Sequence, residues 1–209
     1  MKFSHILPRS SQSIKRNLGI ALLATILLAT TIYAQQIDNS LKLVNAARKQ
    51  VGVTIIYDPA YIKLTYPGGD VSLERGVCTD VIIRALRDAR NIDLQKLIHN
   101  DIKTSFSAYP KIWGLRKPDK NIDHRRVANL QTFFKRNQQY AVSLPLSDND
   151  YKPGDIVTCM LPGNRPHVMI VSDKTSFWGV PLVIHNIGSG AQEEDCLFTF
   201  PITGHYRLK

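Results

Sequence analysis

The sequence predicts an α+β fold in which helices from the first part of the chain pack on an antiparallel sheet made by the last third. Apolar residues recur at helical spacing as far as about residue 137, and the pattern then changes to short β-branched runs separated by Pro, Gly and Asn. The two kinds of segment do not alternate, as they would in a doubly wound sheet.

The first element is a leader. Lys2, Arg9, Lys15 and Arg16 precede LGIALLATILLATTIYA, and the first acidic residue is Asp38. A basic flank followed by an apolar run is the pattern of an export signal. The uncharged stretch from Asn17 to Ile37 is also long enough to span a bilayer as an anchor. Residues 1–34 are therefore read as a signal peptide or an N-terminal membrane anchor. In either case residues 35–209 are expected outside the cytoplasm, in the periplasm or cell envelope, because the positive flank stays inside.

Next, LKLVNAARKQV places Leu41, Val44, Ala47 and Val51 on one helical face, and Gly52 ends the run. A turn-rich stretch with Pro59, Pro67, Gly68 and Gly69 leads to Cys78. From Cys78 the segment CTDVIIRALRDARN sets Val81, Ile82, Ala85, Leu86 and Ala89 against Arg84, Arg87, Asp88 and Arg90, an amphipathic helix. A further helix fits DHRRVANLQTFFKRN, with Asp123 as N-cap and Val127, Leu130, Phe133 and Phe134 inward. DIVTCM, HVMIVS and PLVIHN then read as strands of one sheet, and CLFTFPITGHYRL adds to it.

The chain has 209 residues, 44% apolar and 21% charged, which suits one folded domain after the leader. Its net charge of +10 falls to +6 without residues 1–34, leaving 23 basic against 17 acidic side chains. That balance suits an anionic envelope polymer or a solvated surface. No zinc-finger spacing, helix-turn-helix signal or Arg-aromatic platform is present, so nucleic acid is not an expected partner.

Three cysteines, Cys78, Cys159 and Cys196, lie in the exported part. An odd number in an oxidising compartment points to intermolecular pairing or to a free reactive thiol, and pairing of Cys159 with Cys196 would leave Cys78 free. Cys78 opens a helix, where the dipole favours a thiolate. A thiol nucleophile also needs a base held by a third polar group. His167 opens one strand and His185 ends another, so one cleft can receive both. Asn186 adjoins His185, and strand alternation lets only one of the two face the site. Asp80, two residues past the cysteine, is either a ligand for substrate or a helix cap. Arg125, within Asp123-His124-Arg125-Arg126, is either a fork for a substrate carboxylate or part of a solvated helix start. His99, His124 and His205 show no metal spacing, and neither metal nor cofactor is expected.

GVCTDVIIRAL, YKPGDIV, HVMIVSD and VIHNIG, and with them the chain from Leu41 onward, resemble the domain of unknown function family 1287, grouped with papain-like, NlpC-type cell-wall peptidases. The resemblance implies a papain-like cysteine hydrolase domain over residues 35–209, acting on an amide bond of peptidoglycan through a thioester. It implies that Cys78 attacks, His167 moves the proton and His185 orients His167, while Tyr57 lines the substrate cleft; Asp80, Arg125 and Asn186 are the further binding candidates from the residues themselves. Val77 and Thr79 stand where NlpC-type peptidases usually carry Asp and Ser around the cysteine. The same dyad would also serve an acyltransferase or transpeptidase, and a non-catalytic envelope binding protein is the reading from a different class. A monomer is expected.

Overall fold

A computed structural model describes residues 10–147 and 150–209. The leader's Lys2 and Arg9 lie outside the described residues. The chain divides into two units, residues 1–38 and 39–209. In the first, helix α1 (Ser10–Arg48) exposes Leu22, Leu23, Ile26, Leu27 and Leu28. From Ile20 onward this helix is long and apolar enough to cross a membrane, a property that signal sequences share.

In the second unit the last turns of α1 bury Leu43, Val44, Ala46 and Ala47. The helix stops at Arg48, earlier than its apolar spacing suggests. The chain continues as turns over residues 49–53 and leaves Val51 exposed, and Gly52 takes a left-handed φ of +77° that a side chain would resist. Strands β1 (Ile56–Tyr57) and β2 (Arg75–Gly76) make a short parallel pair that brings the chain to Cys78. Helix α2 (Cys78–Arg90) begins where the sequence places it. Helix α3 (Leu94–Thr104) follows, capped by the Asp93 carboxylate, which accepts from the N–H groups of Gln95 and Lys96. Asp93 before an apolar helical run was the signal for this element. The helix expected from Asp123 starts later, as α4 (Val127–Arg136). Asp123 sits instead in a short 3₁₀ turn, where its buried carboxylate accepts the Asp119 N–H at 2.6 Å, so it does not cap α4.

The C-terminal part folds into β3 (Ala141–Leu144), β4 (Ile156–Leu161), β5 (Arg165–Thr175), β6 (Pro181–Asn186), β7 (Ala191–Glu194) and β8 (Ile202–Leu208). They form one antiparallel sheet in the order β3-β8-β4-β5-β6-β7. Strand alternation gives the sheet two buried faces. Ile156, Val168, Ile170, Ile184 and Tyr206 face α1–α4 and share a core with Val81, Ile82, Leu86, Ile98, Leu130 and Phe134. Val157, Cys159, Met169, Val171 and Val183 face the other way, onto Tyr151 and Leu197. These two faces decide which site residues meet.

Arg84, which the helical pattern assigns to the polar face of α2, is buried. Its guanidinium donates to both oxygens of Asp70, to Thr54 Oγ1 and to the carbonyls of Val71, Ser72 and Arg75, at 2.9–3.2 Å. The loop before β2 offers more carbonyls than its own backbone satisfies, and the fork of donors on Arg84 supplies partners for them.

Candidate active site

Cys78 stands at the N-terminus of α2, on the helix-packed side of the sheet, and is 4% exposed. It lines a cavity of about 150 Å³ with Tyr57, Pro59, Ile122, Arg125 and Pro166. Burial pushes the thiol up to about 12, although the backbone N–H groups of Val168 and Thr79 hydrogen-bond to the sulfur and favour its charged form. The resting group is thus a protonated thiol with two backbone donors beside it. Burial also raises the Tyr57 hydroxyl, the nearby Cys78 and Asp80 adding to the effect while Arg165 and Arg125 oppose it.

Asp80 closes the N-terminus of this helix. Its Oδ2 accepts the Val77 N–H at 2.6 Å, and both its oxygens accept from Arg125, at 3.0 and 2.9 Å. Arg125 spends its remaining reach on the carbonyls of Asp58 and Ala60, each at 3.2 Å, and so ties residues 58–60 to the helix start. Of the two roles open to Asp80 in the sequence, the cap is the one seen. Gly76 permits this closeness, since a Cβ there would lie 3.0 Å from Asp80 Oδ2. Asn186 is fully buried, donating to the Gly76 carbonyl at 3.0 Å and accepting the Gly188 N–H at 3.2 Å.

His167 and His185 meet on the opposite face of the sheet. His167 lies directly across from Cys159, and both rings are on the side of Met169, Val171 and Val183. His167 Nε2 is 2.7 Å from His185 Nδ1, and His185 Nε2 is 3.1 Å from Glu194 Oε1 and 3.4 Å from Cys196 Sγ. The structure therefore brings Cys78 together with Tyr57 and Arg125, with Asn186 behind Gly76, and brings His167 together with His185. It does not bring the imidazole of His167 to the sulfur of Cys78. The neighbour of His167 that contacts this sulfur is the Val168 N–H, and the residue at the cavity is Pro166. Of His185 and Asn186, it is His185 that shares a face with His167.

Burial holds both rings neutral, His167 being pushed down to about 3 by burial first and by His185 second. Burial likewise lowers His185, partly offset by Glu194. Two neutral tautomers satisfy the chain of contacts. Either His185 Nε2–H donates to Glu194 and His167 Nε2–H donates to His185, or the Cys196 thiol donates to His185 Nε2 and His185 Nδ1–H donates to His167. Cys196 and Glu194 as partners of His185 went unread in the sequence, although the run Glu193-Glu194-Asp195-Cys196 after a predicted strand was the available signal. Cys78, Cys159 and Cys196 are all free thiols. Among the described residues no three His, Cys, Asp or Glu side chains are grouped so as to hold a metal ion.

Comparison with known proteins follows the same segments. Residues 44–208 match the family model described as domain of unknown function, DUF1287. The chain is 52% identical over 179 residues to the uncharacterized protein YijF of Escherichia coli strain K12, an alignment covering 85% of each chain. Among solved structures it is similar to an N-acetylmuramoyl-L-alanine amidase from Bacteroides uniformis, with a TM-score of 0.48 and 10% identity over 82% of this chain and 99% of that one. With α2–α4, the six-stranded sheet and the Cys78 cavity all inside the matched range, the chain belongs to the DUF1287 family.

Proposed function

We propose that the protein is an exported, thiol-dependent hydrolase of papain-like, NlpC-type ancestry that cleaves an amide bond of the cell envelope, with peptidoglycan as substrate and Cys78 as nucleophile. The observation that carries this reading is the position of Cys78, a free thiol at a helix N-terminus, lining a cavity and flanked by backbone donors. A substrate carbonyl in the cavity would meet the sulfur. The Cys78 N–H, among the helix N–H groups without an intrahelical acceptor, and the Val168 N–H would stabilise the oxyanion. The thioester then forms as the amine leaves, and water releases the acid.

Because the resting thiol is protonated, attack needs a proton acceptor. We assign this to His167. Its ring must first turn to the helix side, and its location supports that step: β6 ends at Asn186, which the strand register sets opposite Val168, so residue 167 has no partner from β6. The leader then serves as a signal peptide or as an inner-membrane anchor, and the enzyme works as a monomer in the periplasm.

The test is mass spectrometry of peptidoglycan fragments incubated with the detergent-solubilised full chain and its variants. Wild type should release a new amine, and Cys78→Ala and His167→Ala should each release at least a hundredfold less. Full activity in Cys78→Ala overturns the reading. A second reading has one observation in its favour, the 3.4 Å contact between Cys196 and His185: if Cys196→Ala abolishes release while Cys78→Ala retains it, Cys196 is the nucleophile.

A further inference from the structure

A second cavity, of about 670 Å³, is walled in part by the same stretches of chain as the first. Its walls include Arg116, Lys117, Lys120, Tyr61 and His99. The cavity at Cys78 is walled by Tyr57, Pro59, Ile122 and Arg125, so the two lie along the same pair of segments, residues 57–61 and 116–125. Those segments are tied together. Asn121 Nδ2 donates to the Tyr61 hydroxyl at 2.8 Å, the Tyr61 hydroxyl donates to Asp119 Oδ2 at 3.0 Å, and Arg125 holds the Asp58 and Ala60 carbonyls.

The second cavity is net positive, with three cations against one carboxylate. Arg116, Lys117 and Lys120 are exposed and make no ion pair among the described residues. The one carboxylate in the lining, Asp119, has both oxygens engaged: Oδ2 by Tyr61, and Oδ1 by the backbone N–H and side-chain amide of Asn121 at 2.9 and 3.0 Å. His99 presents a ring nitrogen, Nδ1, that is shielded from solvent and has no partner. Three cations, of which Lys120 also lies 5.5 Å from the centre of the Tyr66 ring, outnumber the one carboxylate in this concavity, and an excess of that kind raises the local concentration of anions and selects for them. A carboxylate suits the arginine as a fork and the lysines as point charges.

We infer that the basic cleft of Arg116, Lys117 and Lys120 holds the carboxylates of an acidic peptide whose scissile amide lies in the Cys78 cavity. This rests on the hydrolase reading above and adds the substrate class. The cleft recognises charge at one end of the peptide while the thiol acts on the other.

Binding and cleavage test the two parts separately. Full-length Cys78→Ala protein, with the cleft intact, would be titrated with a fluorescent hexapeptide carrying three glutamates and with its three-glutamine counterpart, at 20 and 300 mM salt. The glutamate peptide should bind at least tenfold tighter at low salt, the advantage should shrink at high salt, and R116Q/K117Q/K120Q should abolish it. R116K should retain most of it, because charge is kept. Equal binding of the two peptides, or undiminished preference in the triple variant, overturns the inference. Far-UV circular dichroism of the triple variant guards against misfolding, and single substitutions replace it if its fold is lost. If the preference is absent while Cys78-dependent cleavage persists, the cleft inference alone falls. If the preference holds but no cleavage depends on Cys78, the hydrolase reading falls and the cleft stands as a binding site for acidic peptides.

Discussion

Asp80 and Arg125 lie 45 positions apart, and nothing in the spacing of the sequence joins them. In the fold they form a paired carboxylate and guanidinium with side chains only 4% and 2% exposed. A pair at that depth is costly to break on one side, because the partner keeps its charge without its counter-charge. Asp80→Asn should therefore destabilise the domain by about 3–5 kcal/mol, read as a lower urea midpoint with unchanged slope. Removing both groups in Asp80→Asn/Arg125→Met should cost less than the two single losses summed. Asp80 was legible as a charged residue near the cysteine, and its role as a cap became visible only with its partner. The same limit applied to the histidines. The chain supplies them on neighbouring strands, but facing depends on register, and the register sets His167 on the face of Cys159 and away from Cys78. A labelling experiment reads this arrangement directly. Cys196 is half-buried beside an imidazole, while Cys78 and Cys159 are buried. In the resting protein, iodoacetamide should modify Cys196 first by peptide mass spectrometry, and His185→Ala should slow that modification severalfold. Faster modification of Cys78 would mean that its cavity opens in solution.

At the scale of elements, strong periodicity was readable and short or irregular pieces were not. Helix α2 and strand β6 have the bounds their patterns imply, because each buries a continuous apolar face. Strands β3 and β7 escaped notice: AVSL and AQEE are four residues each, at the two edges of the sheet, with too little alternation to stand out. The loop before Cys78 was legible as a loop, but what fixes it was not, since Arg84 looked like one more solvent-facing charge. Its guanidinium holds Asp70, Val71, Ser72 and Arg75 together, and these residues carry β2 to Gly76 and the catalytic candidate. Arg84→Lys keeps the charge and loses the fork. It should leave α2 protected in hydrogen exchange while amides of residues 70–77 exchange at least tenfold faster. Loss of protection throughout α2 would mean that Arg84 supports the helix itself.

For the whole molecule, the buried histidines set how stability responds to acid. Burial pushes His167 down to about 3 and His124 to about 4, and lowers His185 as well. The unfolded chain binds protons at these rings from about pH 6.5 downward, whereas the folded chain takes them up only at lower pH, near 3 for His167 and near 4 for His124. Between those limits the unfolded state holds more protons, so stability falls as pH falls, at up to about 1.4 kcal/mol per pH unit for each ring. Asp123 works in the opposite sense. Burial raises it to about 6, so the folded state holds the extra proton between the ordinary carboxylate range and pH 6, which offsets one histidine in that interval. Glu193, held down to about 2 chiefly by its hydrogen bond from Arg48, adds a further loss below the ordinary carboxylate range. The net expectation is a domain most stable near neutrality, with its urea midpoint dropping from pH 7 to pH 5 faster than a single histidine would explain. His167→Gln should flatten that slope by about one proton, since glutamine has no charge to gain, and a wild-type midpoint constant between pH 7 and 5 would show that these rings are accessible to protons in the folded chain.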